Sequence, residues 1–258
     1  MNALANFGRA LGELIWPSRC AACDALSAPS QAFCAPCSAH TLDFDPLSAC
    51  PRCGDLQSPT LCARCCANCP PFSSFSAAFL YGGAVREAIR RCKFLRDPAS
   101  LKSLVPAALH RWNRPPLVHA IVVPVPLSRL RLRERGFNQA EIIARGLARA
   151  LATPLQARAL LRAEHSQPAS GLGPDERLLA LKNAFRVDRR AVIRGAEVLL
   201  VDDVVTTSAT AREAAQTLLH AGARSVHLLA LARGGTAGPD ARQGRHSARA
   251  QLPGMSLM

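Results

Sequence analysis

The sequence predicts an α/β fold: a parallel sheet with helices on both faces, preceded by a small cysteine-rich module. Two observations predict it. Five Cys-x-x-Cys pairs crowd between residues 20 and 69, and from His119 onward short apolar stretches alternate with helix-like ones. Strands that are apolar throughout are buried on both faces, which is the condition of a parallel sheet whose crossovers are helices.

The chain of 258 residues is long enough for one ordinary domain and a smaller companion. Composition places the boundaries at 17–70 for the cysteine-rich module and 71–234 for the sheet domain, with 235–258 as a disordered tail rich in Gly, Pro, Arg and Ser. Against 18 Asp+Glu stand 32 Lys+Arg, a formal charge of +14, and only Lys93, Lys102 and Lys182 are lysines. Arginine presents a planar fork of donors that fits phosphate, so the excess points to phosphate-bearing ligands or nucleic acid. No apolar run reaches the roughly 18–20 residues of a membrane span. The opening NALANFGRALGELIW is broken by Arg9 and Glu13 and reads as a short amphipathic helix, not a secretion signal. A cytoplasmic location is expected, where thiols stay reduced and the 11 cysteines need a use other than disulfides.

That use is metal binding. A Cys-x-x-Cys turn presents two thiolates to one ion, and two such turns complete the tetrahedral shell of zinc. Sequential pairing gives Cys20, Cys23, Cys34 and Cys37 for one zinc and Cys50, Cys53, Cys62 and Cys65 for a second, both structural. Cys66 and Cys69 offer an alternative to Cys62 and Cys65. Gly54, directly after Cys53, suits the tight turn of a knuckle. With few large apolar residues the module depends on metal, which contributes about 10–16 kcal/mol per structural zinc. Metal removal is therefore expected to unfold the first 70 residues or so and to spare the sheet. Cys92, isolated in a helical stretch, reads as a small buried hydrophobe.

After Cys69, PPFSSFSAAFLYGG fits a strand and turn, and AVREAIRRCKFL and SLVPAALHRW carry apolar residues at helical spacing. HAIVVPVP at 119–126 is a first strand of the alternating part, and NQAEIIARGLARALA a helix opened by Asn138. LQARALL, EVLLVDD and SVHLLALA follow as second, third and fourth strands, and TAREAAQTLLHAG is the helix between the last two, ended by Gly222. Open sheets of this type bind ligands beyond the carboxyl ends of their strands.

VLLVDDVVTTSAT at 198–210 lies at such a position, with Asp202 and Asp203 ending the third strand and 204–210 looping into the helix. A loop at a helix amino terminus offers unpaired N–H groups and the positive end of the helix dipole, which bind phosphate. Thr206, Thr207, Ser208 and Thr210 add hydroxyls. The carboxylates repel phosphate and suit neutral sugar hydroxyls or magnesium. A ribose 5-phosphate satisfies both demands.

On these residues the chain resembles the type I phosphoribosyltransferases, and more narrowly the ComF family of competence-associated proteins. VVPVPLSRLRLRERGFNQA at 122–140, RRCKF at 90–94 and the paired-cysteine ribbon followed by PPF at 70–72 carry the narrower match, which covers roughly residues 17–233. The resemblance implies a type I phosphoribosyltransferase-like sheet behind a double zinc ribbon, with phosphoribosyl pyrophosphate and magnesium as ligands. It implies that Asp202 and Asp203 hold the ribose hydroxyls and that Val205, Thr206, Thr207, Ser208, Ala209 and Thr210 hold the 5-phosphate. Arg131, Arg133 and Arg135 would face pyrophosphate from the loop after the first strand. EHSQPASGLGPDER at 164–177 fits the family's mobile loop, with Arg162 and Gln167 in its pattern. Ser208 departs from the usual glycine, at a position where φ > 0 costs a non-glycine residue on the order of 1 kcal/mol.

Two functions follow from the resemblance. One is an enzyme that displaces pyrophosphate from the anomeric carbon; no catalytic base stands out in the sequence. The other is a non-catalytic adaptor for DNA uptake or natural transformation, binding phosphoribosyl ligands and single-stranded DNA and docking a competence helicase or other motor ATPase. Ten arginines against three acids between 111 and 165 would supply the salt-dependent attraction that DNA binding needs, although 12 aromatic residues in the chain are few for base stacking.

Overall fold

A computed structural model describes residues 17–110, 119–163 and 183–235. The amino-terminal amphipathic stretch, the 164–177 segment with Gln167, and the tail from 236 lie outside the described residues.

A four-stranded sheet organises the chain. Its strands are β1 (Ser74–Leu80), β2 (Ala120–Pro124), β5 (Glu197–Val205) and β6 (Ser225–Arg233). They lie in the order β1-β6-β5-β2 and all pair in parallel. Among the described residues the helices are α1 (Ala35–Ser38), α2 (Ala63–Ala67), α3 (Gly83–Phe94), α4 (Ala99–Lys102), α5 (Val105–His110), α6 (Arg129–Arg135), α7 (Gln139–Ala150) and α8 (Ala209–His220).

Strand alternation divides the core into two layers. Leu199 and Val201 of β5 pack with Val85 and Ile89 of α3, Leu101 of α4 and Ile143 and Leu147 of α7. Val198 and Leu200 point the other way, to Ala211, Ala214 and Leu218 of α8. Both faces are thus covered, as the apolar strands require.

One expected strand is placed differently. Leu155 makes only an isolated parallel bridge with Val122, and the apolar pair that follows belongs to β3 (Leu160–Arg162), which pairs antiparallel with β4 (Phe185–Val187) away from the main sheet. LQARALL has strand composition, but four of its residues serve as a turn that leads off the sheet edge. The fourth parallel strand is instead β1, whose alternation of Phe with Ser and Ala is less apolar than a central strand and suits the edge it occupies.

The cysteine-rich module covers that edge. Leu80 N donates to Leu42 O at 2.7 Å, Phe44 N to Ala78 O at 3.3 Å, and Asp43 bridges Phe79 antiparallel. Phe33 packs edge-on against Phe79 and Phe44 against Phe75, with centroids 6.5 and 5.7 Å apart. An open strand edge is thereby closed. The two regions share one core, so the expectation that the sheet would be untouched by metal loss does not fit: Phe33, Phe44 and Ala49 of the module are buried in the sheet's own layers.

Gly83 is the closest backbone approach in this seam. It sits at φ +45, and a Cβ there would lie 1.9 Å from His40 O. Gly83→Ala is expected to lift segment 38–44 off the sheet and to lower stability by about 1–3 kcal/mol, read as a reduced urea midpoint. A midpoint equal to that of the natural protein would contradict this packing.

Candidate ligand site and metal centres

The module is built twice on one plan. In each half a knuckle presents the first two sulfurs and a short helix the next two. Cys20 N donates to Ala25 O and Asp24 N to Cys20 O; Cys50 N donates to Asp55 O and Gly54 N to Cys50 O, all at 2.8–3.0 Å. Gly54 and Asp24 occupy the matching left-handed position, at φ 70 and 65. Cys34 and Cys62 then begin α1 and α2. The sulfurs of Cys20, Cys23, Cys34 and Cys37 all lie within 4.8 Å of one another, as do those of Cys50, Cys53, Cys62 and Cys65. Cys23 and Cys34 are 3.6 Å apart, as are Cys53 and Cys62. That is far beyond a disulfide and close to the spacing of about 3.8 Å set by four zinc–sulfur bonds of about 2.3 Å. Both groups can hold zinc. Without an ion the thiols compete: burial and the neighbouring sulfurs push Cys37 and Cys65 upward. A divalent cation removes that conflict. Cys66 and Cys69 are exposed and stand outside both groups, while Cys92 is fully buried.

At the carboxyl end of the sheet, β5 runs two residues past the acidic pair, to Val205, because Asp202, Val204 and Val205 still pair with β6. The loop is therefore only Thr206 to Ser208 before α8 begins at Ala209. Consecutive strand residues point to opposite faces. Asp203 faces α3, where its Oδ2 lies 2.5 Å from Lys93 Nζ. Asp202 takes the α8 side, where its charge reaches Arg162 at the end of β3. The pair straddles the sheet's end.

The two carboxyls differ in ionisation. Burial and the charge of Asp203 push Asp202 well above the usual carboxylate range. Burial acts in the same sense on Asp203, but the Lys93 ammonium, with help from Arg135, outweighs it and holds Asp203 low. The two neighbouring carboxyls are thus shifted in opposite directions, Asp203 toward ionising more readily and Asp202 toward holding its proton more tightly.

The arginine-bearing stretch is a helix, not a loop. Ser128 caps α6, its Oγ accepting from Arg131 N at 3.3 Å, and Gly136 ends it at φ 82. Helical spacing puts Arg131 and Arg135 on one face and turns Arg133 away. Arg133 is exposed, and Arg131 and Arg135 are half-buried. The RGFNQ run then makes the corner into α7. Asn138 accepts from Ala140 N and donates to Val125 O, and Gln139 Oε1 accepts from Arg135 Nη1 at 3.0 Å. Arg135 is held toward Asp203, whose charge partly offsets the effect of its burial.

In the loop, Ser208 is buried and left-handed, φ 62, with no side-chain cap bond. The strain of about 1–2 kcal/mol expected for a non-glycine residue there is therefore present. Thr206 is exposed, Thr207 and Thr210 are half-buried, and Val205 and Ala209 are buried. Three groups escaped the sequence reading of the site. Lys93 carries a retrospective signal, as a rare lysine among arginines, four residues after buried Ile89 on the inner face of α3. Gln139 and the buried Arg233 carry none beyond their apolar neighbours. Among the described residues no helix is long and apolar enough to cross a membrane.

Residues 134–246 match the phosphoribosyl transferase domain family. The DNA utilization protein YhgH of Escherichia coli (strain K12) is 32% identical over 212 residues, covering 78% of this chain and 89% of YhgH. Competence protein F of Haemophilus influenzae is 32% identical over 71% of this chain and 85% of its own. Competence protein ComFC of Bacillus subtilis (strain 168) is 30% identical over 67% of this chain and 72% of its own. The parallel sheet and the domain match define a phosphoribosyltransferase-like protein, here with two four-cysteine groups built against its edge. The chain belongs to the ComF family.

The ionisation of Asp202 gives a test. Its folded pKa lies above the unfolded value of about 3.9, so its stabilising share is complete below that value and is lost as pH rises toward the folded pKa. Asp203, held low, has the opposite sign and loses its share only in acid. Asp202→Asn keeps the acceptor for Asp203 N and removes the titration. Its stability advantage over the natural protein should widen above pH 5 by up to about 1.4 kcal/mol per pH unit until Asp202 titrates. Denaturant unfolding that shows a constant or shrinking advantage would contradict the assignment.

Proposed function

We propose that the chain binds phosphoribosyl pyrophosphate with magnesium across the end of β5. The observation that carries this reading is the unlike carboxyl pair beside a helix-opening loop. Asp203 accepts from a ribose hydroxyl, and Asp202 accepts or donates according to its proton. The first N–H groups of α8 and the hydroxyls of Thr206, Thr207, Ser208 and Thr210 suit the 5-phosphate. Arg131 and Arg135 suit pyrophosphate, since charge-assisted contacts of this kind contribute about 1.5–3 kcal/mol each. Arg133, off that face, is better suited to a partner outside the site. The acidic pair Asp202 and Asp203 would help to hold magnesium, which would offset the negative charge of the diphosphate.

In the enzymatic version, the bond between the anomeric carbon and a pyrophosphate oxygen breaks as an acceptor attacks, and the arginines stabilise the departing charge. The names of the relatives, DNA utilization and competence proteins, favour a role connected with DNA uptake. The second version is a non-catalytic adaptor that binds single-stranded DNA and docks a motor ATPase. The exposed Arg129 and Arg133 give that version its physical footing.

Calorimetric titration with phosphoribosyl pyrophosphate and magnesium is expected to show one site per chain. Asp202→Asn combined with Asp203→Asn should weaken it by roughly a hundredfold or more while leaving two zinc per chain, and retained affinity would refute the site. Single-stranded DNA affinity should fall by at least about tenfold between 50 and 200 mM salt, and affinity flat across that range would remove the electrostatic DNA contact.

A further inference from the structure

Arg233, the last residue of β6, is a charged side chain only 7% exposed. Its guanidinium lies over the Phe75 ring, 5.9 Å from the centroid, and is surrounded by backbone carbonyls. Nε donates to Gly54 O at 2.9 Å, which belongs to the knuckle of the second four-cysteine group. Nη1 donates to Val205 O at 3.0 Å and, more closely, to Thr206 O and Gly234 O. Gly234 N also donates to Val205 O at 2.8 Å. One side chain therefore ties the metal module to the ligand loop.

The contact has a directional consequence. A trans peptide is planar, with its C=O and N–H antiparallel. With the carbonyls of Val205 and Thr206 turned onto Arg233, the N–H groups of Thr206 and Thr207 point the opposite way. The guanidinium also places a buried positive charge behind those amides. Both effects favour an anion in front of the loop. The knuckle end is equally fixed. Gly54 sits at φ +70 with the Phe75 ring against its α-carbon, where a Cβ would lie 2.2 Å from a ring carbon. Arg52, inside the same knuckle, donates to Ser73 O at 2.8 Å and so holds it at the head of β1.

We propose that Arg233 is a positioning residue for the 5-phosphate, and that the second four-cysteine group, through Gly54, keeps Arg233 in place, so that metal loss there weakens phosphate binding at a loop the metal does not touch. The proposal rests on the ligand reading above.

Its test compares Arg233→Met, Arg233→Lys and Cys53→Ser with the natural protein, with zinc content measured for each. Affinity is measured for phosphoribosyl pyrophosphate with magnesium, for ribose 5-phosphate and for magnesium pyrophosphate. Both Arg233 variants should retain two zinc and lose roughly tenfold or more for the two ligands that carry a 5-phosphate, because a lysine cannot span the separated carbonyls. Magnesium pyrophosphate, held by Arg131 and Arg135, should bind as before, a selectivity that general destabilisation would not produce. Cys53→Ser should give the same pattern and faster amide exchange across 204–211. Natural affinity for ribose 5-phosphate in Arg233→Lys, or equal loss for all three ligands, would overturn the proposal. If the natural protein binds no phosphoribosyl ligand, the function proposed above fails by itself. The exchange measurement then still decides the coupling, since unchanged exchange across 204–211 in Cys53→Ser would overturn it.

Discussion

Two carboxyl groups on consecutive residues of a mostly buried strand cannot both be charged without a nearby cation. The rest of the site answers that constraint. Asp203 is neutralised by Lys93 at 2.5 Å, while burial and the charge of Asp203 push Asp202 above the usual carboxylate range, with Arg162 within electrostatic reach on its own face. Lys93 is available because α3 lies flat on the sheet through Val85, Ile89 and Cys92, which brings its last turn level with the end of β5. A paired, partly buried ion of this sort contributes little net stability, and its presence points to a use beyond folding.

The metal module bears on both sides of that constraint. Its first knuckle reaches α3: Asp24 lies 3.1 Å from Arg91, which also bridges Asp97, and these contacts hold the helix that carries Lys93. Its second knuckle reaches the loop through Arg233. Residues proposed to bind ligand thus adjoin a part of the chain that supplies none of the proposed ligand contacts. The module is sealed onto the β1 edge, with Phe33, Phe44 and Gly83 in the seam.

Much of this was legible in the sequence for clear reasons. Cys-x-x-Cys spacing is local geometry, so the two sulfur groups could be read without the fold. Central strands such as EVLLVDD and SVHLLALA are apolar throughout because both their faces are covered, and that pattern survives in one dimension. Edges are harder. β1 mixes Phe with Ser and Ala because one of its sides meets the module, and LQARALL carries strand-like composition into a turn and an antiparallel pair. The candidate site was legible where one segment supplies it, as at 202–210, and obscure where tertiary contacts do. Helical winding, not composition, separates Arg133 from Arg131 and Arg135. Lys93 and Arg233 gain meaning only once α3 and β6 are laid beside β5.

The central claim is that a phosphoribosyl ligand spans the end of β5, sugar toward the acids and monoester toward the loop amides. A crystal structure of the protein with phosphoribosyl pyrophosphate and magnesium tests it most directly. The account predicts the ribose hydroxyls within hydrogen-bond reach of Asp202 and Asp203, the 5-phosphate against residues 206–210, and the diphosphate beside Arg131 and Arg135. Ligand density at another surface, or a loop whose amides are filled by the protein's own side chains in the complex, would contradict it.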